Sequence, residues 1–350
     1  MTRTQTKQIK IGNITIGGQN KVLIQSMCNV KTSNINEVVK QINDCAYLGA
    51  DIMRVSILDN DDAEAIKDIM PLITIPLVAD IHYDYKLALK CIENGISAIR
   101  INPGNIGKEE NVIELINACK EKHIPIRIGV NSGSFDEEIH NYKEKYNGEK
   151  LFLSAKKHVE ILEKHGFYDI VISMKGASVK ETIDAYRLGA KYFPYPLHLG
   201  ITEAGPKDIS LIRSAATLSP LLLEGIGDTI RISISGDIKE EIKSVKRLLH
   251  DLGLYPNYPT IISCPTCGRT EVDVSLLANK VKDYLENINR PLKVAIMGCI
   301  VNGIGENKNA DIGVAGSKDH YVIFKKGEVI KKAKEHEVFD LLIEEINKLI

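Results

Sequence analysis

Residues 263–269 read Ser-Cys-Pro-Thr-Cys-Gly-Arg and put two thiols, Cys264 and Cys267, in a C-x₂-C pair. A third thiol, Cys299, follows after 31 further residues. Glu306 lies beyond it in the run CIVNGIGE, whose glycines let a loop fold back. A C-x₂-C pair can hold a structural zinc, work as a redox dithiol or anchor an iron–sulfur cluster. The region has no fourth cysteine, and His320 and His336 lack zinc-finger spacing. Three thiolates and one carboxylate are a poor set for structural zinc, which favours Cys₄ or Cys/His. They suit an iron–sulfur cubane in which one iron is held less firmly and is open to chemistry. A redox dithiol needs the pair at a helix start after a strand, and the preceding TIIS leaves that geometry open. Gly303-x-Gly305 is a weak nucleotide signal, with no third glycine.

A second constellation is spread over the first two-thirds of the chain. Polar residues recur two positions apart within β-rich runs: Arg54 and Ser56, Asp80 and His82, Arg100 and Asn102. Arg127 and Asn131 flank Gly129, Ser173 precedes Lys175, His198 precedes Glu203, and Arg231 precedes Ser233. A spacing of two places such side chains on one face of a strand. One charged strand residue is commonly a structural ion pair with a neighbouring helix. Arg54, Arg100, Arg127, Lys175 and Arg231 all stand near the same end of separate strands. Desolvating that many cations side by side needs an anion to offset it. The arginine fork matches phosphate oxygens, so the expected substrate is a small molecule with more than one phosphate.

The elements that must position these residues follow a rhythm. β-rich runs at 22–27, 51–56, 76–81, 96–102, 125–131, 169–175, 195–202 and 229–235 alternate with amphipathic helical patterns. Those patterns include 35–48, 84–94, 109–122, 154–165, 178–188, 208–223 and 238–252. Gly49, Gly95, Gly166 and Gly189 fit left-handed positions just past helix ends. Strand–helix alternation implies parallel βαβ units, and eight of them in roughly 250 residues predict a closed (β/α)₈ TIM barrel. A doubly wound open sheet is the alternative, but the first run is followed by MCNVKT and carries no glycine fingerprint. Barrel enzymes place their sites at the C-terminal ends of the strands, where the cationic residues fall.

The prolines of LYPNYP break the pattern. They separate a substrate-binding barrel domain, 1–255, from a small α/β domain, 256–350, that carries the thiols. The latter should hold a helix near 272–287, strands at 292–297, 311–315 and 320–324, and a terminal helix at 336–349.

With 44% apolar and 26% charged residues the 350-residue chain reads as an ordinary soluble α/β protein. No run of about 18 apolar residues spans a membrane, and the first residues lack the apolar core of a signal peptide. A cytoplasmic location is expected. A net charge of −1 argues against a nucleic-acid coat. Seven cysteines without a secretory signal argue against a disulfide framework. Cys45, Cys91 and Cys119 sit in helical patterns and read as core thiols, whereas Cys28 follows the first strand near the mouth.

SCPTCGR followed by MGCIVNGIGE resembles the family of (E)-4-hydroxy-3-methylbut-2-enyl diphosphate synthases. The resemblance extends over the chain through VLIQSM, MRVS, LVADIH, IRINPGN, IRIGVNSGS, ISMKGAS, LHLGITEAG and TIRISISGD, with no departure at a motif position. The length matches the two-domain bacterial form without the insert of the plant enzymes. The resemblance implies reductive ring opening and dehydration of 2-C-methyl-D-erythritol 2,4-cyclodiphosphate, the penultimate step of the methylerythritol phosphate route to isoprenoids. It further implies a [4Fe-4S] cluster on Cys264, Cys267, Cys299 and Glu306, fed singly with two electrons by reduced flavodoxin or ferredoxin. The family is a head-to-tail homodimer, with the cluster domain of one subunit over the barrel of the other. Arg54, Arg100, Asn102, Arg127, Asn131, Lys175, His198, Arg231 and Ser233 are then expected to bind substrate. Glu306, Glu203, His82 and Asp80 are the candidates for proton delivery. Two other readings are a barrel aldolase or phosphate-ester lyase with a zinc domain, and a binding module that grips RNA through a zinc ribbon. Near-zero charge and the lack of aromatic–basic interleaving around 260–310 weigh against the second.

Overall fold

A computed structural model describes residues 3–102, 109–133, 139, 146–202, 205–300, 307–318 and 320–350. The chain divides into two compact units, Met1–Leu254 and Tyr255–Ile350.

The first unit begins with an antiparallel hairpin, β1 (Ile9–Ile11) and β2 (Ile14–Ile16), turned at Gly12 with φ +56°. Its alternating isoleucines point one way. Ile9, Ile11 and Ile16 pack on Leu23, Ile52, Val78, Ala98 and Val171, the inward residues at the starts of five barrel strands. The hairpin is thus an apolar plug in the N-terminal end of the barrel, an element outside the expected strand–helix rhythm.

Eight parallel strands form the barrel: β3 (Leu23–Met27), β4 (Ile52–Ile57), β5 (Leu77–Ile81), β6 (Ala98–Ile101), β7 (Ile126–Asn131), β8 (Ile170–Lys175), β9 (His198–Leu199) and β10 (Thr229–Ile230). Their order is β8-β7-β6-β5-β4-β3-β10-β9, and a parallel bridge between Ile172 and Leu197 brings β9 back to β8 and closes the ring. That seam has little ladder of its own. The buried Tyr186 hydroxyl spans it, donating to the His198 carbonyl at 2.6 Å and accepting from the Met174 N–H at 3.2 Å.

Helices α1 (Ile35–Leu48), α2 (Asn60–Ile69), α3 (Tyr85–Glu93), α4 (Glu109–Lys122), α5 (Asn147–Lys164), α6 (Val179–Tyr192), α7 (Lys207–Leu223) and α8 (Ile238–Asp251) alternate with the strands. α2 adds a helix to the expected set, and α5 starts seven residues earlier than the pattern predicts. Gly49, Gly95 and Gly166 take positive φ past helix ends as expected. Gly189 does not: it lies inside α6, where a Cβ would come within 2.4 Å of the Met174 methyl. It is needed for close approach of helix to strand rather than to end the helix.

In the second unit, β11 (Thr260–Ser263), β12 (Lys293–Met297) and β13 (Ile312–Ser317) run parallel. β14 (His320–Lys325) and β15 (Glu328–Ala333) continue the sheet antiparallel. Side chains alternate between its faces. Val294, Ile296, Ile312, Val314 and Ile323 pack with α9 (Val274–Leu285) and α10 (Val338–Asn347), whereas Ala295, Met297, Ala315, Val322 and Phe324 form a second cluster. β11 and β15 are additions to the expected strands.

Candidate functional site

Above the plug, the barrel interior turns from apolar to charged within one residue pair per strand. In β4 the inward residues run Ile52, Arg54, Ser56; in β5, Val78 and Asp80; in β6, Ala98 and Arg100. The parallel register sets Ser56 beside Asp80, Asp80 beside Arg100, and Arg100 beside Arg127. Sequence spacing of two therefore becomes a row of polar and charged side chains across β4 to β7.

A cavity of about 310 Å³ opens at the C-terminal ends of the strands. Arg54, Arg100, Lys175 and Arg231 supply its cationic wall, with Asp80, His82, Asn131 and Ser233 among its polar lining. Arg127 and His198 lie a layer deeper and do not line it. Arg127 donates to the Gln25 side chain, and His198 Nδ1 lies 2.8 Å from Thr229 Oγ1. Arg127 flanks a separate cavity of only about 20 Å³, too small for a substrate. Among the described residues, Nε and Nη2 of Arg127 and Nε2 of His198 have no hydrogen-bond partner. Asn102, just past the end of β6, is buried and does not line the cavity. Glu203 and Glu306 lie outside the described residues.

Asp80 is the hub. Its carboxylate accepts from Arg100 Nη1 at 3.0 Å, lies 3.5 Å from Arg54 Nε, and stands 3.9 Å from His82 Nε2. Burial alone would raise its pKa, but Arg54, Arg100 and Arg127 outweigh it and hold the carboxyl well below its usual range. Arg100 also donates to the Gly129 carbonyl at 3.1 Å. A Cβ on residue 129 would fall 2.1 Å from Arg100 Nε, so glycine is what lets the guanidinium lie flat across β7. Gly200 gives Lys175 the same room, its notional Cβ lying 2.8 Å from Lys175 Nζ.

Burial and mutual repulsion weaken the charged form of these cations. Arg54 is brought down to about 10, by desolvation first and then by Arg231 and Arg100. Lys175 is pushed well below its ordinary value by burial, then by Arg54, Arg231, Arg127 and Arg100. Burial and the same charges keep the His198 imidazole neutral. An anion entering the cavity relieves this repulsion and favours the charged form of Arg54 and Lys175.

Two participants were not anticipated from the sequence. Gln25 is buried in the first barrel strand and anchors Arg127. Glu241 reaches in from α8 and binds Arg231 through Nε at 3.0 Å and Nη2 at 2.9 Å. Both carried a signal. Gln25 sits between Leu23 and Met27 at inward spacing, and Glu241 falls on the helix stripe of Ile238, Ile242, Val245 and Leu249.

The thiols of the first unit are inert by environment. Burial raises Cys28, Cys45 and Cys91 to about 12, and Cys119 is likewise pushed up. Those of the second unit differ. Cys267 is exposed, and its thiol is pulled down by the Arg269 N–H at 3.5 Å and by the Thr270 hydroxyl. Cys264 follows β11 and its sulfur accepts from the Gly298 N–H at 3.1 Å. Gly298 directly precedes Cys299, so the first thiol lies beside the backbone that leads to the third, past the ends of adjacent parallel strands. A side chain at 298 would strike Val274 at 2.7 Å and Thr270 at 2.9 Å, which makes glycine necessary for that approach. The donors aimed at the Cys267 sulfur favour its thiolate, the form that binds metals. Among the described residues, no group of three or more His, Cys, Asp or Glu side chains is placed to hold a metal ion.

Residues 6–246 match the GcpE TIM-barrel domain and residues 260–348 the GcpE protein C-terminal domain. The chain belongs to the GcpE family. A GcpE relative from Clostridium perfringens, 52% identical over all of this chain and 99% of its own, is named 4-hydroxy-3-methylbut-2-en-1-yl diphosphate synthase (flavodoxin). Relatives of the same name occur in Caldanaerobacter subterraneus, 52% identical over 99% of this chain and 98% of theirs, and in Clostridium acetobutylicum, 48% identical over the full length of both. The fold of the GcpE barrel is also similar to dihydropteroate synthase from Stenotrophomonas maltophilia, with TM-score 0.52 and 11% identity over 70% of this chain and 98% of that one. No described helix is long and apolar enough to cross a membrane.

Proposed function

We propose that this GcpE protein is a 4-hydroxy-3-methylbut-2-en-1-yl diphosphate synthase. It reductively opens and dehydrates 2-C-methyl-D-erythritol 2,4-cyclodiphosphate to the linear allylic diphosphate, in the cytoplasm, with electrons from reduced flavodoxin. The observation that carries the reading is the cationic cavity. Among the described residues, the cavity-lining Arg54, Arg100, Lys175 and Arg231 are met by two carboxylates, Asp80 and Glu241, a surplus of positive charge that a diphosphate neutralises.

Cys264, Cys267 and Cys299, with Glu306 as fourth donor, would hold a [4Fe-4S] cluster. The donor chemistry fits: the sulfurs of Cys264 and Cys267 accept backbone N–H bonds, and Cys267 is tuned toward thiolate. Such a cluster supplies single electrons and a Lewis-acidic iron. The barrel's own residues bind and orient the ring. Arg54, Arg100, Lys175 and Arg231 hold the phosphates, and Asn131 and Ser233 add neutral donors. Asp80, kept ionised by its arginines, fixes those arginines and is not a proton donor near neutrality. Proton delivery then falls to Glu203, Glu306 or the half-exposed His82 at the rim. A head-to-tail homodimer, with the cluster unit of one chain over the barrel of the other, would join the anion site to the cluster.

The test is an anaerobic assay with reconstituted protein, reduced flavodoxin and the cyclodiphosphate. Formation of the linear allylic diphosphate is expected, together with about four irons per chain and a broad absorption near 400 nm. Cys299→Ser should lose the iron while its far-UV circular dichroism stays unchanged. A colourless protein with one zinc and no turnover would overturn the reading.

A further inference from the structure

The structure assigns Glu241 a role in the synthase reaction: it is the positioning residue that sets Arg231 for the substrate diphosphate. The inference rests on the functional reading above. Glu241 lies on α8, outside the barrel wall, yet its side chain is 1–2% exposed and enters the interior between β10 and β3. Four donors converge on its two oxygens. Arg231 Nε and the Ser26 hydroxyl reach Oε2 at 3.0 and 2.5 Å, and Arg231 Nη2 and the Ile234 N–H reach Oε1 at 2.9 and 3.0 Å.

The geometry separates holding from binding. The carboxylate grips the Nε–Nη2 edge of the guanidinium, a bidentate fork with a fixed plane. Among the described residues Nη1 meets just the Met27 sulfur, at 3.6 Å, and Arg231 lines the cavity. Its free N–H groups are therefore presented to an entering phosphate. Ser26 on β3 and the Ile234 N–H in the connection from β10 to α8 both hold the carboxylate, so the fork cannot swing with its helix. A buried, apolar helix face is a costly place for a carboxylate unless it is fully partnered. Here the partner is the residue that meets substrate.

A role in charge balance and a role in positioning predict opposite signs. Glu241 repels a bound diphosphate, so if it merely balances charge, its removal tightens binding. If it positions Arg231, removal weakens binding. The experiment is calorimetric titration of unreduced holoenzyme, without turnover, with the cyclodiphosphate. The proteins are wild type, Glu241→Gln, Arg231→Ala and the double variant. Glu241→Gln should weaken binding about tenfold, the worth of one charge-assisted hydrogen bond. The double variant should bind no more weakly than Arg231→Ala alone. Equal or tighter binding by Glu241→Gln, or losses that add in the double variant, would overturn the assignment. Glu241→Asp keeps the charge but retracts it, and stands in should the glutamine variant not fold. It too should weaken binding, and unchanged affinity would count against positioning. If wild type ignores the cyclodiphosphate, the functional reading fails instead. The same comparison is then made with inorganic pyrophosphate, which senses the same guanidinium.

Discussion

Asp80→Asn tests whether the barrel mouth is a cluster of cations held together by one carboxylate. The substitution keeps shape and removes one negative charge. At the observed 3.0 Å to Arg100 and 3.5 Å to Arg54, an effective dielectric of about 20 gives each contact roughly 5 kcal/mol of gross attraction. Most of that offsets the desolvation of the buried ions, and removing one partner of such a set costs about 3–5 kcal/mol net. For a unit of this size that lowers the melting temperature by roughly 6–15 °C. Because the native Asp80 is held below its ordinary pKa, its contribution is fully present above the carboxylate range. The difference between the proteins should be flat from pH 5 to 8 and shrink only as the pH falls below about 4. Pyrophosphate supplies the missing negative charge, so it should raise the melting temperature of Asp80→Asn more than that of wild type. The assay is thermal unfolding by circular dichroism, with and without pyrophosphate, across pH. Melting within 2 °C of wild type, with equal pyrophosphate shifts, would refute the reasoning: each arginine would then have a sufficient partner of its own.

Gly129→Ala drives a methyl to within 2.1 Å of Arg100 Nε, so the guanidinium must leave the Gly129 carbonyl and Asp80. Diphosphate affinity should fall about tenfold or more by calorimetry. Tyr186→Phe removes the hydroxyl that bridges the β8–β9 seam and strands two buried backbone groups. Urea unfolding should show a loss of about 1–3 kcal/mol, and the Met174 amide should exchange faster with deuterium.

Much of this was legible because two periods are superposed in the sequence. Alternation at two, in Arg54-x-Ser56 or Arg100-x-Asn102, identifies a strand face, and the intervening helical patterns require parallel crossovers. The hairpin signal, IKI and ITI about Gly12-Asn13, is also present, but nothing local says that its isoleucines plug a barrel. Depth within the barrel is the other limit. Arg127 pairs in register with Arg100 yet does not line the cavity, because its guanidinium is held by Gln25 of the first barrel strand, a partner that strand spacing does not reveal. Glu241 looks like an ordinary acid in the first turn of a helix. Only the packing of α8 against β3 and β10 turns it inward.

The hairpin plug has a kinetic consequence. With Ile9, Ile11 and Ile16 packed into one end, the barrel formed by the described residues is a cup, and the charged cavity opens at the other end. Substrate, displaced water and product must share that opening in sequence. If the proposed dimer covers the mouth during reduction, the cover has to arrive after the substrate and leave before the product. Turnover should therefore follow a compulsory order, with excess product trapping the covered state.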